Sequence, residues 1–374
     1  MTGLGYTTMR DALTRRTLLA STAAAVAGGV SPAADPPTLI ESIEKQTLLR
    51  GRDGSGPTWF HPRACMVPGE RGPMAFMTLQ TILASDTFGP VHWMTSTDLG
   101  RSWTAPEPVP PRWPVYAVWR DGRWGPRRRL AWNDPRGGSI YSNGCGQRIV
   151  LPDGDILLAL RFSATRDQPK AVATTVCRFD GDELSIRRVG EELRHDAGRG
   201  LLEPSLVRFG DRILITLRAE DGRGYVAASA DGLTWGSKQA WAWDDGEPLE
   251  MSTTQQHWLA HSDALFLVYT RRDASNVNVF RWRSPLWMAE VDPHSLRLRR
   301  ATERVVLPLV GDGVNDPDRV AIMGNFHVTH ASADESWVTV GEWQPKNGIH
   351  GDLLMARICW TRTNGLARGG AMTD

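Results

Sequence analysis

From Leu39 onward the chain is built of short apolar runs, rich in β-branched and aromatic residues, interrupted by Gly, Asp and Pro. No stretch keeps the period of a long amphipathic helix, so the pattern predicts strands and turns throughout. One unit recurs. LPDGDILLALR ends at Arg161, RFGDRILITLR at Arg218 and SDALFLVYTR at Arg271, spaced by 57 and 53 residues, and looser copies end at Gln80 (RGPMAFMTLQ) and Glu342 (DESWVTVGE). A turn followed by an apolar strand at this period reads as one four-stranded sheet per unit.

The second half of each unit reads as a hairpin. Two are sharp, STDLGRSW over Ser96–Trp103 and SADGLTW over Ser229–Trp235, and fainter ones stand at Asp121–Trp124, Asp180–Leu184 and Val291–Leu298. In the sharp pair Asp98 or Asp231 accepts hydrogen bonds from turn amides, a glycine supplies positive φ, and Trp103 or Trp235 is expected to wedge into the core between sheets. Five hairpins and a closing C-terminal strand pair predict an all-β, six-bladed β-propeller over residues 35–374. One sector is short: Gln80 to Arg161 is 81 residues, less than two full units, with the Pro-rich stretch Pro106–Pro114 where the second blade's inner strands belong. That sector reads as a truncated second blade, with a five-bladed variant or a defective copy as the alternatives.

Residues 1–34 read as an export signal. Arg15 and Arg16 lie in a twin-arginine-like TRRTLL, an apolar run follows from Leu18 to Val30, and small residues around Ser31–Ala34 suit signal peptidase. The run is too short to span a bilayer comfortably, so the mature chain is expected to be periplasmic or extracellular, with no membrane anchor. Cys65, Cys145, Cys177 and Cys359 would then meet an oxidising compartment, where four cysteines allow three pairings that spacing does not separate. Lys plus Arg number 43 against 42 Asp plus Glu, so the net charge of +1 gives no reason to expect nucleic acid. Sixteen tryptophans against five tyrosines supply wedges between sheets or flat platforms for sugar rings. A monomer without cofactor is expected. No CxxC pair occurs, and His327 and His330, at HxxH spacing, would face opposite sides of a strand, so no metal is expected.

A propeller lines its central channel with the first strand of every blade, so polar residues far apart in sequence converge there. Counting back from each repeat end lands on Cys65, Gly146, Glu203, Gln256 and His327, near Arg63, Gln147, Gln255 and His257. Glu342 is a further inner candidate. Polar groups concentrated on inner strands are what a binding site needs and a dry core avoids.

The paired turns, with Ser, Asp, Gly and Trp in order, resemble the Asp-box of the sialidase superfamily, and the resemblance runs along the whole mature chain in blade order. It implies a site of three arginines, a loop aspartate, a glutamate and a last-blade tyrosine. HPRACMVP offers Arg63 for the first arginine. ASDTFGPVHW offers Asp86 for the acid/base loop, and LLEPSLVRFGDRILITLR offers Glu203 and Arg218. NVFRWRSPLW offers Arg283, or Arg281 on the same face of one strand, for the third arginine. Three guanidinium forks would clamp a substrate carboxylate, Asp86 would protonate the leaving oxygen, and Glu203 would act as base or orienter. The last blade, MGNFHVTHASADESWVTVGE, departs from the family because it has no tyrosine; Phe326 and His327 stand there, and His327 is the residue that could act as base or nucleophile. The resemblance therefore implies an exported glycoside hydrolase of an acidic sugar, sialic or uronic, with a non-catalytic carbohydrate-binding propeller as the alternative.

Changing Arg15 and Arg16 to Lys is expected to leave unprocessed precursor in the cytoplasm, because the pair is read as an address. Cell fractionation and the mass of the chain check this.

Overall fold

The computed structural model describes residues 38–370, apart from 70–71, 110–115, 121–122, 127, 133, 137–139, 143 and 166. The signal read at residues 1–34 lies outside the described residues. Five antiparallel sheets follow one another along the chain and form a five-bladed propeller. The first holds Trp59–Val67, Met74–Ala84, Thr87–Ser96 and Glu107–Pro108. In the second, Ile156–Ser163, Ala171–Phe179 and Leu184–Leu193 follow an innermost strand in two pieces, Ile140–Ser142 and Ile149–Val150. The third runs Leu202–Phe209, Arg212–Arg218, Gly224–Ser229 and Gln239–Ala240. The fourth runs His257–His261, Ala264–Tyr269 and Leu286–Asp292, the last paired with both Arg297–Leu298 and Arg304–Leu307. The fifth runs Phe326–His330, Glu335–Gly341 and Leu353–Trp360, and its outermost strand is the N-terminal Ile40–Leu49.

The expected count of six is corrected to five. Between the first two blades the described residues form a two-stranded hairpin, Trp119–Arg120 against Arg123–Trp124. This hairpin is held against the outer turn of the second blade: the Leu184 amide donates to the Tyr116 hydroxyl at 2.9 Å, and Arg128 pairs with Asp182 at 2.7 Å. Prolines at 106, 108, 110, 111 and 114 lack the N–H a sheet ladder requires, so this stretch is a poor source of central strands.

The core lies between blades. Leu157 and Ala159 of the second blade pack with Leu206 and Ile215 of the third, and Leu214, Val226 and Trp241 of the third pack with Trp258 and Leu267 of the fourth. Trp241 and Trp258 meet edge to face at 5.7 Å, and the Trp241 indole donates to Thr216 Oγ1 at 3.1 Å. At Ser96–Trp103 the Gly100 amide donates to Ser96 Oγ at 2.8 Å and the Ser102 amide to Asp98 Oδ1 at 2.9 Å. A Cβ on Gly100, at φ +72°, would lie 2.9 Å from Trp337. Trp103 and Trp235 are half-buried wedges, the first against Trp337 of the fifth blade at 6.1 Å, the second donating to Thr174 of the second blade at 3.2 Å. All four cysteines are free thiols. Among the described residues no helix is long and apolar enough to cross a membrane.

Trp241→Ala is expected to lower stability by about 3–5 kcal/mol, the cost of truncating a fully buried indole, and half-buried Trp103→Ala by less. Urea unfolding of the two variants checks the order.

Candidate functional site

The site begins with a strand pair. Leu202 lies opposite Arg218 in the third blade, so the first residues of one strand meet the last of the next, and Arg218 Nη1 donates to Glu203 Oε2 at 2.8 Å. Glu203 stands at φ +44°, a strained backbone for a non-glycine residue. Arg218, 6% exposed, also donates from Nε to Thr253 Oγ1 at 3.3 Å. Arg283, 8% exposed, donates to the Thr253 carbonyl at 2.7 Å, so one threonine bridges two arginines. Gly324 lies against Arg283, whose Cδ would be 2.5 Å from a Cβ there. Half-buried Arg63 donates to the Pro62 carbonyl at 2.7 Å.

The three arginines are not equivalent. Arg218 has Glu203 as its carboxylate, whereas Arg63 and Arg283 make no ion pair among the described residues and each donates to a main-chain carbonyl. Burial pulls Arg283 down to about 10, Arg218 pushes the same way, and Glu203 and Asp86 oppose it. Burial likewise lowers Arg63 against the pull of Cys145 and Glu203. Asp86 is exposed at φ +56° in the turn between Met74–Ala84 and Thr87–Ser96, close enough for its charge to act on Arg283 and Arg199.

Beside the arginines stand three histidines. His257 is fully buried, and its tautomer follows from the hydrogen-bond network. Ser205 donates to Gln147 Oε1 at 2.9 Å, so it accepts from His257 Nδ1 at 3.1 Å, and Nε2 is left as an acceptor without a partner among the described residues. The His327 ring meets it edge to face at 5.6 Å. Thr329 donates to the Ala64 carbonyl at 2.9 Å and so accepts from His327 Nδ1 at 3.4 Å. His61 accepts from Gln80 Nε2 at 2.7 Å. Burial, then Arg63, drives His257 and His61 down to about 3, and the same two causes with His257 and Arg148 hold His327 well below its ordinary value. All three imidazoles are neutral at neutral pH. His327 in particular is a weak base, contrary to the role the sequence offers it.

Arg63, Glu203, Arg218, Arg283, His257 and His327 come together, with Asp86 at the edge. Three candidates turn elsewhere. Gln256 lies between blades, accepting from Thr216 Oγ1 at 2.7 Å, and Gly224 would meet its amide if it carried a Cβ. Glu342 takes Arg52 Nε at 2.7 Å and the Asp352 amide at 3.2 Å, which commits it to a loop contact. Arg281 does not share a strand face with Arg283: Phe280–Trp282 is a 3-10 turn, with Arg281 and Trp282 at φ +53° and +50°, and Arg281 is exposed over the Phe280 ring at 5.0 Å.

The count along the chain passed over Cys145 and named Gln255 only as a neighbour of Gln256. The Cys145 thiol donates to Gln255 Oε1, and Gln255 Nε2 donates to the Phe326 carbonyl, so a polar line joins the second, fourth and fifth blades across the channel. Cys145 also lies within hydrogen-bonding reach of Arg63. Its one sequence signal is the flanking pair of glycines, Gly144 and Gly146. No group of three or more His, Cys, Asp or Glu side chains among the described residues is placed to hold a metal.

The fold is that of sialidase-type propellers. Trypanosoma rangeli sialidase superposes with a TM-score of 0.56 at 14% identity over 84% of this chain and 59% of that one. The same enzyme in complex with a difluoro nononic acid gives 0.57 at 13% identity, over 85% and 58%. This chain thus spans a little under three fifths of that enzyme's length. A phage phi92 endosialidase matches at a TM-score of 0.43 and 12% identity, over 86% of this chain and 69% of that one. No family profile matches the sequence, and no curated relative is found by sequence.

Because the folded state holds His257 neutral while the unfolded chain protonates near its ordinary value, the unfolded state binds more protons between about pH 6.5 and 3. Stability is therefore full above this window and falls as pH drops through it, by about 1.4 kcal/mol per pH unit for each such histidine. Urea midpoints across the range check this, and His257→Gln is expected to flatten the slope.

Proposed function

We propose that the protein is an exported, sialidase-like glycoside hydrolase that grips an acidic sugar, of sialic or uronic type, by its carboxylate. One observation carries the reading: half-buried Arg63 and buried Arg283 make no ion pair with a carboxylate among the described residues, next to an Arg218 that has one. A buried charge without a counter-charge is costly, and an incoming carboxylate accepting paired N–H bonds relieves it. Arginine suits the task because its charge survives the lowering that burial imposes.

In this reading Asp86 donates a proton to the leaving oxygen from its exposed turn, and Glu203, positioned by Arg218, acts as base. The turns at Ser96–Trp103 and Ser229–Trp235 are Asp-boxes and residues 1–34 the export signal. The second reading is a carbohydrate-binding propeller without turnover. What favours it is His327, which stands where the resemblance puts a tyrosine and is held neutral and weakly basic by burial and Arg63.

Arg283→Lys is expected to weaken binding of glucuronic or N-acetylneuraminic acid roughly tenfold or more although charge is kept, since an ammonium does not reproduce the fork. Asp86→Asn is expected to keep that affinity and to cut turnover roughly a hundredfold. Calorimetry and release of sugar from an acidic-glycoside panel separate the effects. Normal binding by Arg283→Lys removes the reading, and binding by the wild type without any turnover selects the second one.

A further inference from the structure

The innermost strand of the second blade is the one that breaks. Ser142 lies opposite Arg161 and Ile149 opposite Leu157, so the inner piece is three residues longer than the strand it pairs with. The surplus forms a detour toward the third blade. Gly144, at φ +68°, lies beside Glu203, where a Cβ would make ordinary contact with Cγ at 3.7 Å, whereas a Cβ on Gly146 would meet the Pro204 carbonyl at 1.6 Å. The Gln147 amide donates to Ser205 Oγ at 3.0 Å, and the Leu206 amide to the Gln147 carbonyl at 3.2 Å. Segments 144–147 and 203–206 therefore run side by side; the missing Cβ of Gly146 permits the approach, and Gly144 takes the left-handed backbone before Cys145. This clamps Cys145 next to Glu203.

The surroundings point to a ligand at the same spot. Cys145 feels Glu203, Arg63 and Arg218 at once. Arg283, more than nine-tenths buried and in the field of the same Glu203 and Arg218, has an Nε with no hydrogen-bond partner among the described residues. A half-buried thiol thus lies in the field of the Glu203 carboxylate and of two guanidiniums, Arg63 and the Glu203-paired Arg218, with no tyrosine among the described residues that act on it.

We propose that Cys145 is the nucleophile of this site and Glu203 its base, an inference that rests on the hydrolase reading above. Glu203 takes the S–H proton as sulfur bonds to the anomeric carbon. The bond from that carbon to the aglycone oxygen breaks, and Asp86 gives that oxygen its proton. Water then attacks the anomeric carbon, giving its proton to the Asp86 carboxylate. The C–S bond breaks and the sulfur recovers the proton from Glu203. Two displacements retain the anomeric configuration. At rest burial and Glu203 push the thiol up to about 12, so it waits as S–H donating to Gln255 and needs the carboxylate at the moment of attack.

The test uses the full mature chain, fluorogenic aryl glycosides of N-acetylneuraminic and glucuronic acid, and a difluoro analogue of whichever sugar is turned over. Expected are retention of configuration, a mass adduct mapping to Cys145, and a Cys145→Ala variant that binds free sugar like wild type while losing roughly a thousandfold or more in kcat. An adduct on another residue, inverted product, or wild-type turnover by Cys145→Ala overturns the proposal and leaves the hydrolase reading standing. Absence of turnover and adduct in wild type, with sugar still bound, overturns both. If Cys145→Ala does not fold, Cys145→Ser and the position of the wild-type adduct decide.

Discussion

Everything in this molecule depends on how the ring is closed. Ile40–Leu49 hydrogen-bonds along Leu353–Trp360, with Ile43 opposite Ile358 and Thr47 opposite Leu354, so the first strand of the propeller completes its last blade. The inner strands of a propeller meet only at their edges, and each blade is held by apolar wedges against its neighbours. A ring opened at one seam would leave the fifth blade an exposed strand edge and unpaired backbone groups. Pairing the two ends of the chain removes that edge and fixes the distance between Arg63 of the first blade and His327 of the last.

Within the closed ring the channel is not an apolar plug. Gln147 accepts from the Trp258 amide at 2.7 Å and donates to the Trp258 carbonyl at 2.9 Å, which fixes its amide orientation and, through Ser205, the tautomer of His257. Gln255 does the same between Cys145 and Phe326. Buried polar groups are tolerable when their partners are satisfied, and here most are. The exceptions among the described residues include Arg161 Nε and Thr339 Oγ1 and, in the site itself, Arg283 Nε and His257 Nε2, with His257 lying in the field of Arg63. Three residues at or beside the site, His61, Asp86 and Glu203, also stand at positive φ, as do others such as Leu99 and Leu296 away from it. Strain and unmet polarity are what a folded chain retains where it prepares to hold something else.

Electrostatics then divides the labour among the site's groups. Burial, and after it the field of Arg63, keeps three imidazoles neutral; in the proposed reaction the histidines are hydrogen-bonding walls and Asp86 and Glu203 carry the proton. Three arginines, Arg63, Arg218 and Arg283, stand against the acids Glu203 and Asp86, and under the proposed function this balance favours an anionic sugar over a neutral one.

By itself the sequence determined the strands, their grouping and most of the arginine cluster. Apolar alternation and the repeated turn are local properties, and a hairpin of given length places Glu203 beside Arg218 whatever surrounds it. Parity was harder. Gln255 and His257 project toward the channel and Gln256 toward the next blade, and a count uncertain by one residue inverts that choice, as it did for Gln256. Glu342 failed differently, because only the folded loop brings Arg52 to it. The number of blades and the place of Cys145 were decided by tertiary structure alone. Whether the segment after the first blade inserts a sheet or lies against its neighbour depends on contacts such as Arg128 with Asp182, and a three-residue detour in an inner strand leaves no periodic trace. Hydrophobic period reports what a residue does within its own strand, whereas convergence across a ring depends on pairings between strands separated by hundreds of residues, which no local pattern encodes.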